Sequence, residues 1–222
     1  MESHCKNKRV EKFFILTLII GGLLLAGCAI LNNKPKSVDI SLSEYIEAVE
    51  EPATDTKPFF NHTLRIDEPV MTRRAKGYFK PDKAFDGKFI SELREGAVVF
   101  FKLKGRFKNI SKQTGNLGLS IDITNYEGGA GKPERVSLKA LIKLYHVPTE
   151  TVLLSGVVES FLENKTGKLT KPVTMTLKEK EYVVKLGTVR MAEVSHHLFR
   201  VMDAKLADNE KIIFRKLEGL CK

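Results

Sequence analysis

Between Leu117 and Phe161, apolar and polar residues alternate through consecutive runs, and no other feature constrains the fold as tightly. Leu117, Leu119, Ile121 and Ile123 alternate with Gly118, Ser120, Asp122 and Thr124. Val136, Leu138, Ala140, Ile142 and Leu144 alternate with Ser137, Lys139 and Lys143. The turn sequence Val147-Pro148-Thr149-Glu150 then leads into a third run, Val152 to Phe161. A period of two sends one row of side chains into a core and leaves the other in water. Three such runs with short links predict an antiparallel meander over 117–161. Val173, Met175 and Leu177 alternate once more after the link Asn164 to Lys171.

Upstream the period changes. Val98-Val99-Phe100-Phe101-Lys102-Leu103 has strand composition, yet Phe85, Phe89, Leu93, Ala97, Phe100, Leu103 and Phe107 recur at steps of three and four. That spacing lines up one helical face. Pro81-Asp82 offers a start, Lys102 and Lys104 suit the negative end of the helix dipole, and Gly105 suits its stop. Gly87 and Gly96 count against a helix, by about 1 kcal/mol each. The periodicity outweighs them and predicts a helix over Asp82 to Lys104. Ser41 and Glu44 have capping-box spacing, which predicts a short helix from Leu42 to Glu51 that Pro52 stops. Thr63 to Arg74 reads as extended, with a break at Pro69. Met191, Val194, Leu198, Val201 and Met202 fit a helix packed on the sheet, and Asp208 to Leu217 fits a last helix. The fold class expected is α+β: a single domain, mainly antiparallel sheet, with helices packed on it.

Composition narrows the class further. Of 222 residues 42% are apolar and 29% charged, which excludes a disordered tail, a collagen-like fibre and a polytopic membrane protein. The net charge of +10 marks a basic protein.

The first residues are not fold. Lys6, Lys8, Arg9 and Lys12 form a basic flank, and an apolar run from Phe13 through Leu25 follows it. Basic flank, apolar stretch and small residues make a secretory signal. The run ends in Leu25-Ala26-Gly27-Cys28, which resembles the lipobox of bacterial lipoproteins. The resemblance implies cleavage between Gly27 and Cys28, diacylglycerol on the Cys28 thiol, and a folded body held on a bilayer. An uncleaved membrane helix is the competing reading, since Phe13 to Leu31 is nearly long enough to span. Such a helix needs no Cys at its end. The sequons at Asn61, Asn109 and Asn164 weigh little, because Asn-x-Ser/Thr is common by chance.

On this reading residues 1–27 are signal peptide, 28–37 a polar tether, 38–60 an acidic N-terminal segment and 61–222 the α/β body. The signal removes four bases and two acids, leaving +8. Ala29 stands where the family's sorting rule places Asp for inner-membrane retention, which favours the outer membrane in a two-membrane source. Cys221 is then the other cysteine of the mature chain, so no intramolecular disulfide can form alongside a lipidated Cys28. The acidic segment is expected to be a solvated face, with contact to the basic body as the alternative.

The stretch Leu103-Lys-Gly-Arg-Phe107-Lys-Asn-Ile110, followed by Leu117 to Tyr126, is similar to envelope lipoproteins with an anticodon-binding-like α/β domain. That group includes the curli-secretion lipoprotein and activators of penicillin-binding proteins. The similarity covers about residues 63 to 160. Eleven residues separate Ile123 from Arg135, so the long insertions from which the curli lipoprotein builds a pore have no room here.

Motifs for chemistry are sparse. Gly128-Gly-Ala-Gly-Lys132 fails as a phosphate loop, because Tyr126 and Pro133 stand where the template needs Gly and Ser or Thr. His196 and His197 are about 100° apart on a helix and cannot chelate one metal from one face. His62 and His146 stand isolated in the sequence. No Gly-x-Ser-x-Gly or His-Glu-x-x-His occurs, and beyond the leader no Ser-x-x-Lys. No catalytic residue, metal ligand or cofactor is therefore expected, and the chain reads as non-enzymatic. The remaining signal is basic. From Gly96 to Ile121 lie Lys102, Lys104, Arg106, Lys108 and Lys112 with no acid, and Arg73 and Arg74 precede them. These seven are the candidate contacts for an anionic envelope polymer or lipid, the alternative to an unknown envelope protein as partner. Nucleic acid is not an expected partner for an exported chain.

Overall fold

Strand β1 (Phe60–Ile66) lies between two strands that both run parallel to it, β3 (Phe107–Ser111) and β4 (Leu117–Glu127). Beyond β4 the chain turns back twice. β5 (Glu134–His146) and β6 (Thr151–Asn164) pair antiparallel in sequence order, so the sheet runs β3-β1-β4-β5-β6. The two-residue β2 (Val70–Met71) pairs with the middle of β4, at Asp122 and Ile123. The computed structural model describes residues 40–54, 58–71, 83–127, 134–164, 173–177, 180–184 and 186–220. Residues 37–222 form one compact unit.

The expected meander is present, with Pro148 in the turn between β5 and β6. The sheet as a whole is mixed, however, not mainly antiparallel. The reason is α2 (Lys83–Lys104), which follows β1 and β2 and returns the chain so that β3 enters beside β1 in the same direction. A parallel neighbour requires a long crossover, and a helix supplies it. Phe107, which the periodicity placed on the helical face, is the first residue of β3 and is still buried. Gly105 ends α2 with φ of 61° in the left-handed region, as its position in the sequence suggests.

β3 and β4 flank β1 on opposite edges, and residues 112–116 carry the chain across it. Ser111 lies at the level of Arg65, and Leu117 at the level of Leu64. The two are therefore almost one strand that changes sides. Gly115 makes this crossing possible: a Cβ there would sit 2.7 Å from both the Thr63 carbonyl oxygen and the Arg65 nitrogen. From α2, Arg94 fixes the crossing to β1. Its Nε and Nη2 donate to the Ile66 carbonyl at 3.1 and 3.0 Å, and Nη2 also reaches the Lys112 carbonyl.

One face of the sheet is the core. Leu119, Ile121 and Ile123 stand opposite Leu144, Ile142 and Ala140, and all are buried. On this face pack α2 and α3 (Leu186–Asp208), through Leu93, Phe100, Phe101, Leu198 and Phe199. Phe60 stacks on Phe107 at 5.1 Å between ring centres, and α4 (Glu210–Leu220) adds Ile213 and Leu217. The opposite face carries Ser120, Asp122, Lys139 and Lys143, the polar row that the alternation predicts.

The N-terminal helix α1 (Leu42–Val49) has the full capping box: Glu44 N bonds Ser41 Oγ, and Ser41 N bonds Glu44 Oε2 at 2.9 Å. Its Leu42, Tyr45 and Ile46 are buried against the rest of the body, with Ile46 wholly enclosed. Gly96 explains itself here, since a Cβ would lie 2.7 Å from Leu42 Cγ. Gly87 has no such neighbour. The backbone of β7 (Val173–Leu177) and β8 (Lys180–Val184) forms a separate antiparallel hairpin, of which only β7 is legible in the alternation.

Gly115→Ala is expected to destabilise the chain by about 1–3 kcal/mol, because β1 backbone atoms cannot give way as a side chain can. Urea unfolding checks this, and an unchanged midpoint would contradict the crossing geometry.

Candidate functional site

Within the basic segment, three of the five described cations are bound to carboxylates. Arg106, on the turn after α2, donates from Nε and Nη2 to the two Asp203 oxygens at 2.8 and 3.1 Å, and from Nη1 to Glu210. It thereby ties the end of α2 to α3 and α4. All three side chains are largely buried. Lys112 pairs with Glu95 of α2. Lys104 pairs with Glu50 and sits 5.5 Å from the Phe100 ring centre. Lys102 and Lys108 remain exposed, on α2 and β3. Arg73 and Arg74 lie outside the described residues, as do Gly27 and Cys28.

Glu50 caps the C-terminal end of α1, with its side chain 8% exposed. One oxygen meets Lys104, and the other meets His196 Nε2 at 2.5 Å. Burial alone would raise this carboxyl. Hydrogen bonds and charge from Lys104 and His196 outweigh it and hold Glu50 below its ordinary value. The edge of the Tyr45 ring meets His196, 6.0 Å between centres. Burial, with the nearby Glu193 charge, pushes the Tyr45 hydroxyl up to about 12. Glu193 itself is raised by burial, against the pull of Arg190. The acidic segment is thus in contact with the basic body at Glu50, while Glu51 is solvated.

On the open face of the sheet, Arg65, Asp67 and Tyr145 close a triangle. Arg65 Nε donates to Asp67 Oδ1 at 2.8 Å, Arg65 Nη2 to the Tyr145 hydroxyl at 2.6 Å, and that hydroxyl to Asp67 Oδ2 at 2.6 Å. The Tyr145 ring lies over Gly118, where any Cβ would come within 2.4 Å of it. These three bonds tie β1 to β5 and lock that end of the sheet.

The histidines sort as the helical angle predicts. His196 turns to Glu50, whereas His197 Nδ1 lies 2.9 Å from Ser160 Oγ on β6. Ser160 is wholly buried, so the pair fastens α3 to the sheet. His62 and His146, isolated in the sequence, are close enough in space that His146 joins burial in lowering His62. Among the described residues no three His, Cys, Asp or Glu side chains converge as a metal site, and no helix is long and apolar enough to cross a membrane. The Glu50 contact had a sequence signal, an acidic run near an acid-free basic one. The Arg65 triangle had none, because its partners lie about eighty positions apart.

Arg106→Ala is expected to cost about 2–4 kcal/mol, since it strands two partly buried carboxylates, and Arg106→Lys should recover less than half of that. Equal stability of the Lys variant in thermal unfolding would contradict the two-pronged geometry. Glu50 contributes stability that is complete above the ordinary carboxylate pKa and lost as pH falls through its lowered folded value. As pH falls below the ordinary carboxylate range, wild-type stability should therefore drop by more than that of Glu50→Gln. Parallel pH profiles would remove Glu50 as a source.

No protein-family model matches the chain, and no curated protein matches it by sequence. Solved structures do resemble it. Protein XCC0632 from Xanthomonas campestris, of the family DUF330, matches with 13% identity and a TM-score of 0.48, over 76% of this chain and 94% of that one. A putative neuraminyllactose-binding hemagglutinin homolog from Helicobacter pylori matches with 12% identity and a TM-score of 0.39, over 75% and 95%. The PelC dodecamer from Paraburkholderia phytofirmans matches with 10% identity and a TM-score of 0.35, over 68% and 89%. These are loose likenesses of fold.

Proposed function

We propose that the chain is a lipid-anchored bacterial envelope lipoprotein, without enzymatic activity, that binds an envelope partner in assembly or transport. The observation that carries this is Leu25-Ala26-Gly27-Cys28 at the end of a basic and then apolar leader. Small residues before the Cys admit a peptidase, and a thiol at that position accepts the glyceride. Each buried methylene adds about 0.8 kcal/mol, so two or more long chains hold a body of this size on a bilayer. Its location is the cell membrane or outer membrane, facing away from the cytoplasm, with Ala29 favouring the outer one where two exist.

The absence of a catalytic motif in the sequence supports a binding role. So does the state of the polar side chains: the Arg65 triangle, the Arg106 ties and the Ser160–His197 pair all join elements of the fold. The second reading, an anionic polymer or lipid held by the basic segment, retains Lys102 and Lys108 among the described residues. The pairing of Lys104, Arg106 and Lys112 with carboxylates favours the first.

Expressed in a bacterium fed an alkyne fatty acid, the wild type should take up the label and Cys28→Ser should lose it. Undiminished labelling of the variant would refute the site. Cross-linking in the native envelope then identifies the partner.

A further inference from the structure

The hold of α1 on the body is built differently at its two ends. At its start, Ile40, Leu42, Phe89, Glu92, Met191 and Ser195 line a cleft of about 40 Å³, space for about three waters. Ser195 Oγ is buried there with no hydrogen-bond partner. Packing at this end therefore leaves a gap and an unpaired hydroxyl. At the other end Glu50 joins Lys104 of α2 to His196 of α3, and Ala53 N donates to the Leu103 carbonyl at 2.8 Å. Between the ends, Leu42 and Ile46 rest over Gly96. No described residue from 40 to 54 takes part in a strand pairing, so α1 can leave without breaking the sheet.

We propose that α1 is a releasable strap fastened by the Glu50 carboxylate. A partner that pulls on the body, or that competes for the groove under Leu42 and Ile46, acts on this fastening first.

Hydrogen exchange followed by mass spectrometry on the full chain in detergent micelles tests it. Loss of charge-assisted bonds in Glu50→Gln should speed exchange of the 42–50 amides by about tenfold or more, with the β4 and β5 amides unchanged. Unchanged α1 exchange, or acceleration of α1 and the sheet together, would overturn the strap. If Glu50→Gln does not fold, Lys104→Gln, which removes one of the two bonds, is read the same way. Failure of both to fold would show that α1 is not separable and would also overturn it. The exchange pattern is read independently of acylation, so a missing fatty-acid label on Cys28 would leave the strap standing.

Discussion

The body depends on β1 being hydrogen-bonded along both edges by strands that run in its own direction. An inner strand with parallel neighbours cannot be made by hairpins alone. One neighbour arrives through the long crossover of α2. The other arrives because residues 112–116 cross β1 where Gly115 presents no side chain. Arg94 bonds the carbonyls of both segments at that point, so the helix that delivers β3 also pins the crossing. The antiparallel half of the sheet is then a simple extension from the β4 edge.

What the sequence disclosed follows this division. The alternation from Leu117 to Phe161 specified β4, β5 and β6 and their buried face, because each run is local and its neighbour follows in sequence. The helical period from Phe89 to Leu103 overrode the strand-like Val98 to Phe101, since a face of buried residues outweighs propensity over a few positions. The mixed sheet was not legible. Phe107 to Ser111 is five residues long, and nothing in so short a run encodes the direction of its neighbour. The same holds for the polar sites. The capping box at Ser41 and Glu44 is local and readable, whereas Arg65 meets Tyr145 only because the strand register brings them together.

Net charge proved a poor guide to free charge. An acid-free run from Gly96 to Ile121 suggests a basic surface, yet Lys104, Arg106 and Lys112 find acids from α1, α2, α3 and α4. Carboxylates distant in sequence turn what reads as a ligand-binding patch into the ties between helices. The candidate functions rest accordingly on two unlike supports. Placement at a membrane comes from four residues beside an apolar leader, and a binding role comes from polar clusters at Arg65, Arg106 and His197 that join elements of the fold.

Placement at a membrane is the central claim, and the mass of the native amino-terminal peptide tests it most directly. A purified native protein should yield a peptide that begins at Cys28 and carries the added mass of a diacylglycerol. An unmodified peptide running unbroken through Gly27 and Cys28 would contradict the account.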